Sequence, residues 1–281
     1  MALSPRNRKI VGAAMTGATY SAATMAIVPL VAILVMLVVR GAGSLDWNFF
    51  TRSAVPVGEA GGGFANAIVG TLLIVGVAAA IGIPIGVGAG IYLAEFGGGR
   101  VGWVVRFVAD TLNGIPSILI GVFAWTLVVR PTGRFSALAG SAALACILVP
   151  IVARTTEEMV RLVPNSLREA ALALGYPRWR TSLTVVARTA RAGIITGCLV
   201  AISRVAGETA PLLFTALGSQ YFSTNLLHPV AALPLQVYLY ATGPYEEWHR
   251  QAWAGALVLI LLVLLLGVLA RLVTRSRHQR A

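Results

Sequence analysis

Lysine is almost missing from this sequence, with Lys9 the only one in 281 residues. A nucleotide-hydrolysing loop of the Gly-x-x-x-x-Gly-Lys-Ser/Thr type needs a lysine that reaches the phosphates. Lys9 lies ahead of the first apolar stretch, so the chain holds no ATPase site of that kind. Cysteine is nearly as scarce: Cys146 and Cys198 sit in apolar surroundings, offer no disulfide framework, and read as small packing residues. His228, His249 and His278 are too scattered to suggest a metal site. Nucleophile elbows, zinc-binding pairs and the acid clusters of metal-dependent membrane enzymes are also missing. Charge is the broadest shortage, at 11% of residues against about a quarter in a soluble domain.

Long apolar runs take the place of charge, with 57% hydrophobic residues and a mean hydropathy of +0.82. Residues 10–39, 60–94, 111–129, 135–153 and 251–270 are free of charge, and 192–218 is interrupted only by Arg204 and Glu208. Each run can cross a hydrocarbon core of about 30 Å. An all-α membrane protein with six spans is predicted, at about 10–39, 64–94, 103–129, 135–160, 188–218 and 250–272, between tails 1–9 and 273–281. The 30 glycines and 13 prolines do not oppose this, because neighbouring helices and water satisfy the backbone groups they free. The first run follows basic residues as a signal peptide does, but it is too long for one and reads as an uncleaved anchor.

The net charge of +12 raises the question of nucleic acid, and its placement answers it. With the N-terminus inside, Arg6, Arg8, Lys9, Arg100, Arg106, the arginines within 154–191, Arg271, Arg275, Arg277 and Arg280 all face the cytoplasm. Arg40, Arg52, Arg130, Arg134 and Arg250 face out. That asymmetry is the positive-inside bias, places both termini in the cytoplasm, and requires no nucleic-acid partner. Residues 41–63 read as an outer loop, 96–99 as a tight inner turn, and Arg130-Pro131-Thr132-Gly133-Arg134 as a hairpin closure. The outer segment 219–250 has room for a short re-entrant or interfacial piece around 234–240.

In the inner segment 154–191, Ser166-Leu167-Arg168-Glu169 has the pattern of a capping box and predicts a helix start. Gly175 suits the left-handed residue after its end, and Pro177 the first position of another helix. Leu167, Ala170, Ala171 and Leu174 then form a short apolar stripe with a small centre, which requires a partner surface. A helix lying on lipid headgroups, anchored by Arg178, Trp179 and Arg180, satisfies the same pattern. A DNA-reading unit does not, because spans tether both ends.

Charges inside the membrane cost at least about 2.5–3.5 kcal/mol on insertion scales, so an intramembrane pair is a functional candidate. Arg204 and Glu208, four residues apart, fall on one face of a continuous helix, and Arg204 lies about 20 Å beyond Arg191. One reading is an ion pair that fixes helix orientation. The other is a substrate site: a guanidinium fork matches phosphate oxygens, while a carboxylate accepts from a P–OH and repels a fully ionised oxyanion such as sulfate. Thr209 adds a hydroxyl, and Pro211 frees carbonyls nearby. Asn113 and Ser117, flanking Pro116, are further candidates to line the path, or else satisfy the backbone at a proline kink.

Glu169-Ala170-Ala171 with Gly175 resembles the EAA loop of bacterial ABC importer permeases, although Val185-Val186-Ala187-Arg188 stands where that pattern continues to Ile-x-Leu-Pro. Asn66-Ala67-Ile68-Val69-Gly70-Thr71, Gly90-Ile91-Tyr92-Leu93-Ala94-Glu95-Phe96, Gly114-Ile115-Pro116-Ser117 and the run from Arg204 to Phe214 are similar to the A-type permeases of phosphate-specific transporters. The resemblance implies a type I ABC importer permease fold with a coupling helix in 164–180. There, Leu167, Glu169, Ala170, Ala171, Leu174 and Gly175 would meet an ATPase. It also implies a second related permease, two ATPase subunits that use ATP and magnesium, an extracytoplasmic phosphate-binding protein, and no cofactor on this chain. It associates Arg204 with phosphate passage, and extends less directly to Glu208. A permease for sulfate or molybdate, or an ATP-independent anion transporter or channel, stands as the alternative.

Overall fold

The computed structural model describes residues 5–55 and 61–278, and all the regular elements among them are helical. Five helices are long and apolar enough to span a membrane, or six if one bent pair counts as a single span. Helix α1 (Pro5–Gly41) absorbs the described part of the expected N-terminal tail and stands off the rest of the chain, its most apolar window only 6% buried. It touches the body at its C-terminal end, where a Cβ on Gly41 would lie 2.7 Å from the Trp253 carbonyl oxygen. A short helix α2 (Trp47–Thr51) follows, its N-terminus capped by the Asp46 carboxylate, which accepts from the Phe49 N–H at 2.8 Å. Of the expected outer loop, 56–60 lie outside the described residues.

The centre of the fold is the crossing of α3 (Ala65–Glu95) with a later helix, Ala137–Arg161. Gly82, Gly86 and Gly90 lie four apart on one face of α3. A Cβ at Gly86 would sit 2.7 Å from the Val152 Cβ, and one at Gly90 2.5 Å from the Ala153 carbonyl oxygen. Small residues at this spacing let two backbones approach where no hydrophobic effect draws helices together. Ser141 Oγ donates to Ile74 O at 3.0 Å across the same seam.

The third expected span, 103–129, is not one straight helix. It comprises α4 (Arg100–Gly114) and α5 (Ser117–Thr132), bent by 106° at Ile115-Pro116. Pro116 has no N–H to continue the ladder, and Ile115 before it takes extended geometry (ψ 132°). Helix α6 is Ala137–Arg161, which Ser136 caps by accepting from Ala139 N at 3.1 Å. Helix α7 (Asn165–Ala173) lies between α6 and α8 (Arg178–Val205).

The fifth expected span, 188–218, also breaks: α8 ends at Val205, and a separate short helix, α9 (Ala210–Thr215), follows the turn at Gly207. Proline at 211 cannot donate to the Gly207 carbonyl and sits in the first turn of α9, where that N–H would have no partner anyway. Leu217 and Gly218, with φ of 60° and 84°, terminate α9. The expected short piece near 234–240 is α10 (Leu233–Thr242), and α11 (Glu246–His278) is the last span, running on through the described part of the expected C-terminal tail. At the α10 end of the molecule Phe49 stacks on Phe64 and Tyr240 on Trp248, with ring centroids 5.0 and 4.6 Å apart, and Phe64 meets Tyr240 edge to face at 5.3 Å.

Candidate translocation and coupling sites

Arg204 occupies the last turn of α8, where the helix dipole favours a cation, and its side chain is exposed. Glu208 follows the break, half-buried, and Thr209 takes the N-cap position of α9 without capping it. The expectation that Arg204 and Glu208 share one helix face is corrected, since the chain turns at Gly207 between them. Among the described residues neither makes an ion pair or a hydrogen bond through its side chain. The glue reading of the pair therefore fails in this conformation.

Asn113 and Ser117 flank the other break and are also without a side-chain hydrogen bond among the described residues. Elsewhere in the helices, hydroxyls fold back on the preceding turn, as Thr155 does to Ile151 O (2.7 Å) and Ser203 to Leu199 O (2.9 Å). Ser117 and Thr209 do not, which leaves their hydroxyls available. The two breaks meet where α5 packs on α9: a Cβ on Gly121 would lie 2.6 Å from Pro211 Cα. Ser117 is one helical turn before Gly121, and Thr209 two residues before Pro211. The sequence candidates Arg204, Glu208, Thr209, Asn113 and Ser117 thus belong to two helix interruptions joined by a glycine contact.

At the opposite end, α7 starts two residues earlier than the capping-box pattern places it. Pro164 is its N-cap, no side-chain cap forms, and Ser166 already lies within the helix. Its C-terminus is as expected: Gly175 has φ 83°, its N–H reaches Leu172 O at 2.9 Å, and the Tyr176 N–H reaches Ala171 O at 3.2 Å. These two bonds are a Schellman cap. Pro177, expected inside the next helix, sits at its N-cap position instead. The apolar stripe divides. Ala171 is buried at 6% exposure, while Leu167 is 40% and Leu174 79% exposed, with Glu169, Ala170 and Gly175 also open.

Two ion-pair clusters at this end were not legible as sites. Glu157, 1% exposed, receives Arg106 Nε at 2.7 Å and Arg161 Nη2 at 2.6 Å, while Arg106 also donates to the carbonyls of Gly97 (2.9 Å) and Leu93 (2.6 Å). Arg168 of α7 pairs with Glu95 at the end of α3 (Nε to Oε1, 3.0 Å), and Ser182 donates to the other Glu95 oxygen at 3.1 Å. The available signal was the scarcity of acids. With only ten in the chain, each one at a helix end near the arginine-rich segment merited attention.

This arrangement defines a class: a helical membrane-embedded subunit with polar groups at mid-chain helix breaks and a short exposed helix beside a charged belt. Residues 82–279 match the family described as the binding-protein-dependent transport system inner membrane component, and the chain belongs to that family. Among its relatives is the phosphate transport system permease protein PstA of Yersinia pestis, 48% identical over 253 residues, covering 89% of this chain and 85% of that protein. The protein of the same name from Haemophilus influenzae is 45% identical over 266 residues, covering 94% of each. In fold the chain is similar to an inward-facing crystal form of the MetNI methionine ABC transporter, with a TM-score of 0.65 at 20% identity over 76% of this chain and 95% of the other. The fold is that of type I ABC importer permeases. The chain is a multi-pass membrane protein that works with other ABC transporter subunits, and is itself a permease rather than an enzyme.

Proposed function

We propose that this chain is the permease subunit of an ATP-driven importer of inorganic phosphate, paired with a second related permease and driven by two ATPase subunits that use ATP and magnesium. An extracytoplasmic binding protein delivers the phosphate. The α7 end faces the cytoplasm with both termini, in keeping with the arginine distribution. Support for phosphate comes from relatives named as phosphate transport permeases, at 45–48% identity across most of the chain. The observation that carries the mechanism is Arg204 at the end of α8, unpaired among the described residues: a guanidinium so placed in a spanning segment is a donor set open to an oxyanion. Glu208 accepts from the P–OH of protonated phosphate and disfavours sulfate, while Thr209, Ser117 and Asn113 offer further donors along the same interruption.

Leu167, Glu169, Ala170 and Leu174 meet an ATPase, Gly175 sets the turn that presents them, and Ala171 anchors the helix inward. ATP-driven closure of the ATPase pair moves α7, rocks the spans and opens the Arg204 region outward, and hydrolysis returns it inward. Labelled phosphate uptake into vesicles holding the complete complex tests this. Uptake that needs ATP and yields to unlabelled phosphate but not to excess sulfate or molybdate supports the reading. Uptake without ATP, or equal competition by sulfate, contradicts it. Glu208→Gln raises sulfate competition; sulfate transport unchanged by that substitution would remove Glu208 from selectivity.

A further inference from the structure

Helix α7 is continuous with α6 on one side, through Leu162 to Pro164, and with α8 on the other, through Leu174 to Pro177. A displacement of α7 therefore reaches α6 and α8 along the chain itself. Helix α3 has no such covalent connection. It nevertheless crosses the molecule, because its C-terminus ends beside α7 while its N-terminal half meets the start of α10. There Thr71 Oγ1 accepts the Leu233 N–H at 2.6 Å, and Gly70 presses on the Ala231 carbonyl. By helical rise, its 31 residues cover about 46 Å.

Apolar packing cannot supply the missing connection, since Ala171 is the one buried residue of α7 and offers a single methyl. What joins α7 to α3 is the Arg168 guanidinium. It donates to Glu95 Oε1 from Nε (3.0 Å) and Nη2 (2.9 Å), to the Val160 carbonyl from Nη2 (2.9 Å), and to Asn165 Oδ1 (3.2 Å) and the Val163 carbonyl from Nη1. The fork thereby grips the Val160 carbonyl in the last turn of α6 and the Val163 carbonyl just beyond it while holding the acid of α3. Glu95 is held from its far side by Ser182 on the first turns of α8. With side chains 19% and 11% exposed, Arg168 and Glu95 are shielded from the screening that makes surface pairs weak.

We infer that the Arg168–Glu95 pair, buttressed by Ser182, is the direct link through which movement of α7 is delivered to α3, so that its loss separates ATP hydrolysis from transport. Arg168 and Glu95 are positioning residues, acting through α3 on the path without touching substrate. The glycine seam, where Gly82, Gly86 and Gly90 bring α3 close against α6, spreads the motion along both helices. Once the pair is broken, α7 still presents Leu167 and Leu174 to an ATPase, but it moves α3 only indirectly, through α6. This rests on the permease reading above.

The test measures ATP hydrolysis and labelled phosphate uptake in the same vesicles, with the complete complex carrying wild type, Glu95→Gln, Arg168→Gln, the double variant, or Ser182→Ala. Expected is a fall of about fivefold or more in phosphate moved per ATP in either single variant. ATPase co-purification and the half-saturating phosphate concentration stay unchanged. The double variant is no worse than the poorer single one, because both remove the same link. Ser182→Ala lowers the ratio less. Should Arg168→Gln fail to assemble, Glu95→Gln and Ser182→Ala decide the matter, since both leave the surface of α7 intact. An unchanged ratio overturns the inference, as does a proportional loss of hydrolysis and uptake, which would mean lost docking. A wild-type complex without ATP-dependent phosphate uptake would instead overturn the permease reading.

Discussion

Glu157 and Glu158 are adjacent carboxylates on α6, both paired with arginine, and they differ in burial. Glu157 is 1% exposed and contacts Arg106 at 2.7 Å, Arg161 at 2.6 Å and Arg154 at 3.7 Å, those side chains being 26%, 54% and 45% exposed. Glu158 is 56% exposed and, among the described residues, its carboxylate pairs with Arg154 alone, at 3.1 Å. Breaking a buried pair from one side costs about 3–5 kcal/mol, whereas each half-exposed arginine adds about 0–1 kcal/mol. Arg106 keeps its bonds to the Leu93 and Gly97 carbonyls, and a glutamine at 157 keeps one acceptor. Together these place Glu157→Gln at about 2–4 kcal/mol and Glu158→Gln below about 1 kcal/mol. Denaturation of the purified chain by SDS in mixed micelles, followed by tryptophan fluorescence, measures both. Equal shifts for the two variants would refute the view that burial of Glu157 holds α3, α4 and α6 together.

Three further outcomes are expected. Gly90→Ala, whose Cβ would meet the Ala153 carbonyl at 2.5 Å, destabilises by about 1–3 kcal/mol in the same assay, while Gly76→Ala, facing open space, is neutral or stabilising by up to about 1 kcal/mol. Gly175→Ala places a Cβ at φ 83° and costs about 1–2 kcal/mol locally, read as faster amide exchange in the last turn of α7. Leu174→Asp changes chain stability by less than about 0.5 kcal/mol, since Leu174 is 79% exposed, yet reduces co-purification of the ATPase subunits several-fold.

The spans were legible because apolar length is a local property: 64–94 and 135–160 match α3 and α6 within a residue or two. The end of α7 was legible for the same reason, since Gly175 has one conformational purpose there. Its start was not, because Pro164 can open the helix before Ser166 does, and two adjacent start signals compete. The break after Arg204 was written in the spacing of Gly207 and Pro211, but an apolar run across 192–218 outweighed it. Equal spacing along a helix also concealed that Ala171 turns inward while Leu174 turns out. Which side of a helix meets the body depends on distant elements. The pairs Arg106–Glu157 and Arg168–Glu95 join residues 51 and 73 positions apart, beyond any local pattern.

The most direct measurement is ATP-dependent phosphate uptake by the complete complex carrying Arg204→Gln, with assembly and ATP hydrolysis followed in the same preparation. Among the described residues Arg204 has no side-chain partner to leave stranded, so the account predicts intact assembly and a collapse of uptake. Uptake at the wild-type rate would contradict it, placing the phosphate path away from the helix breaks.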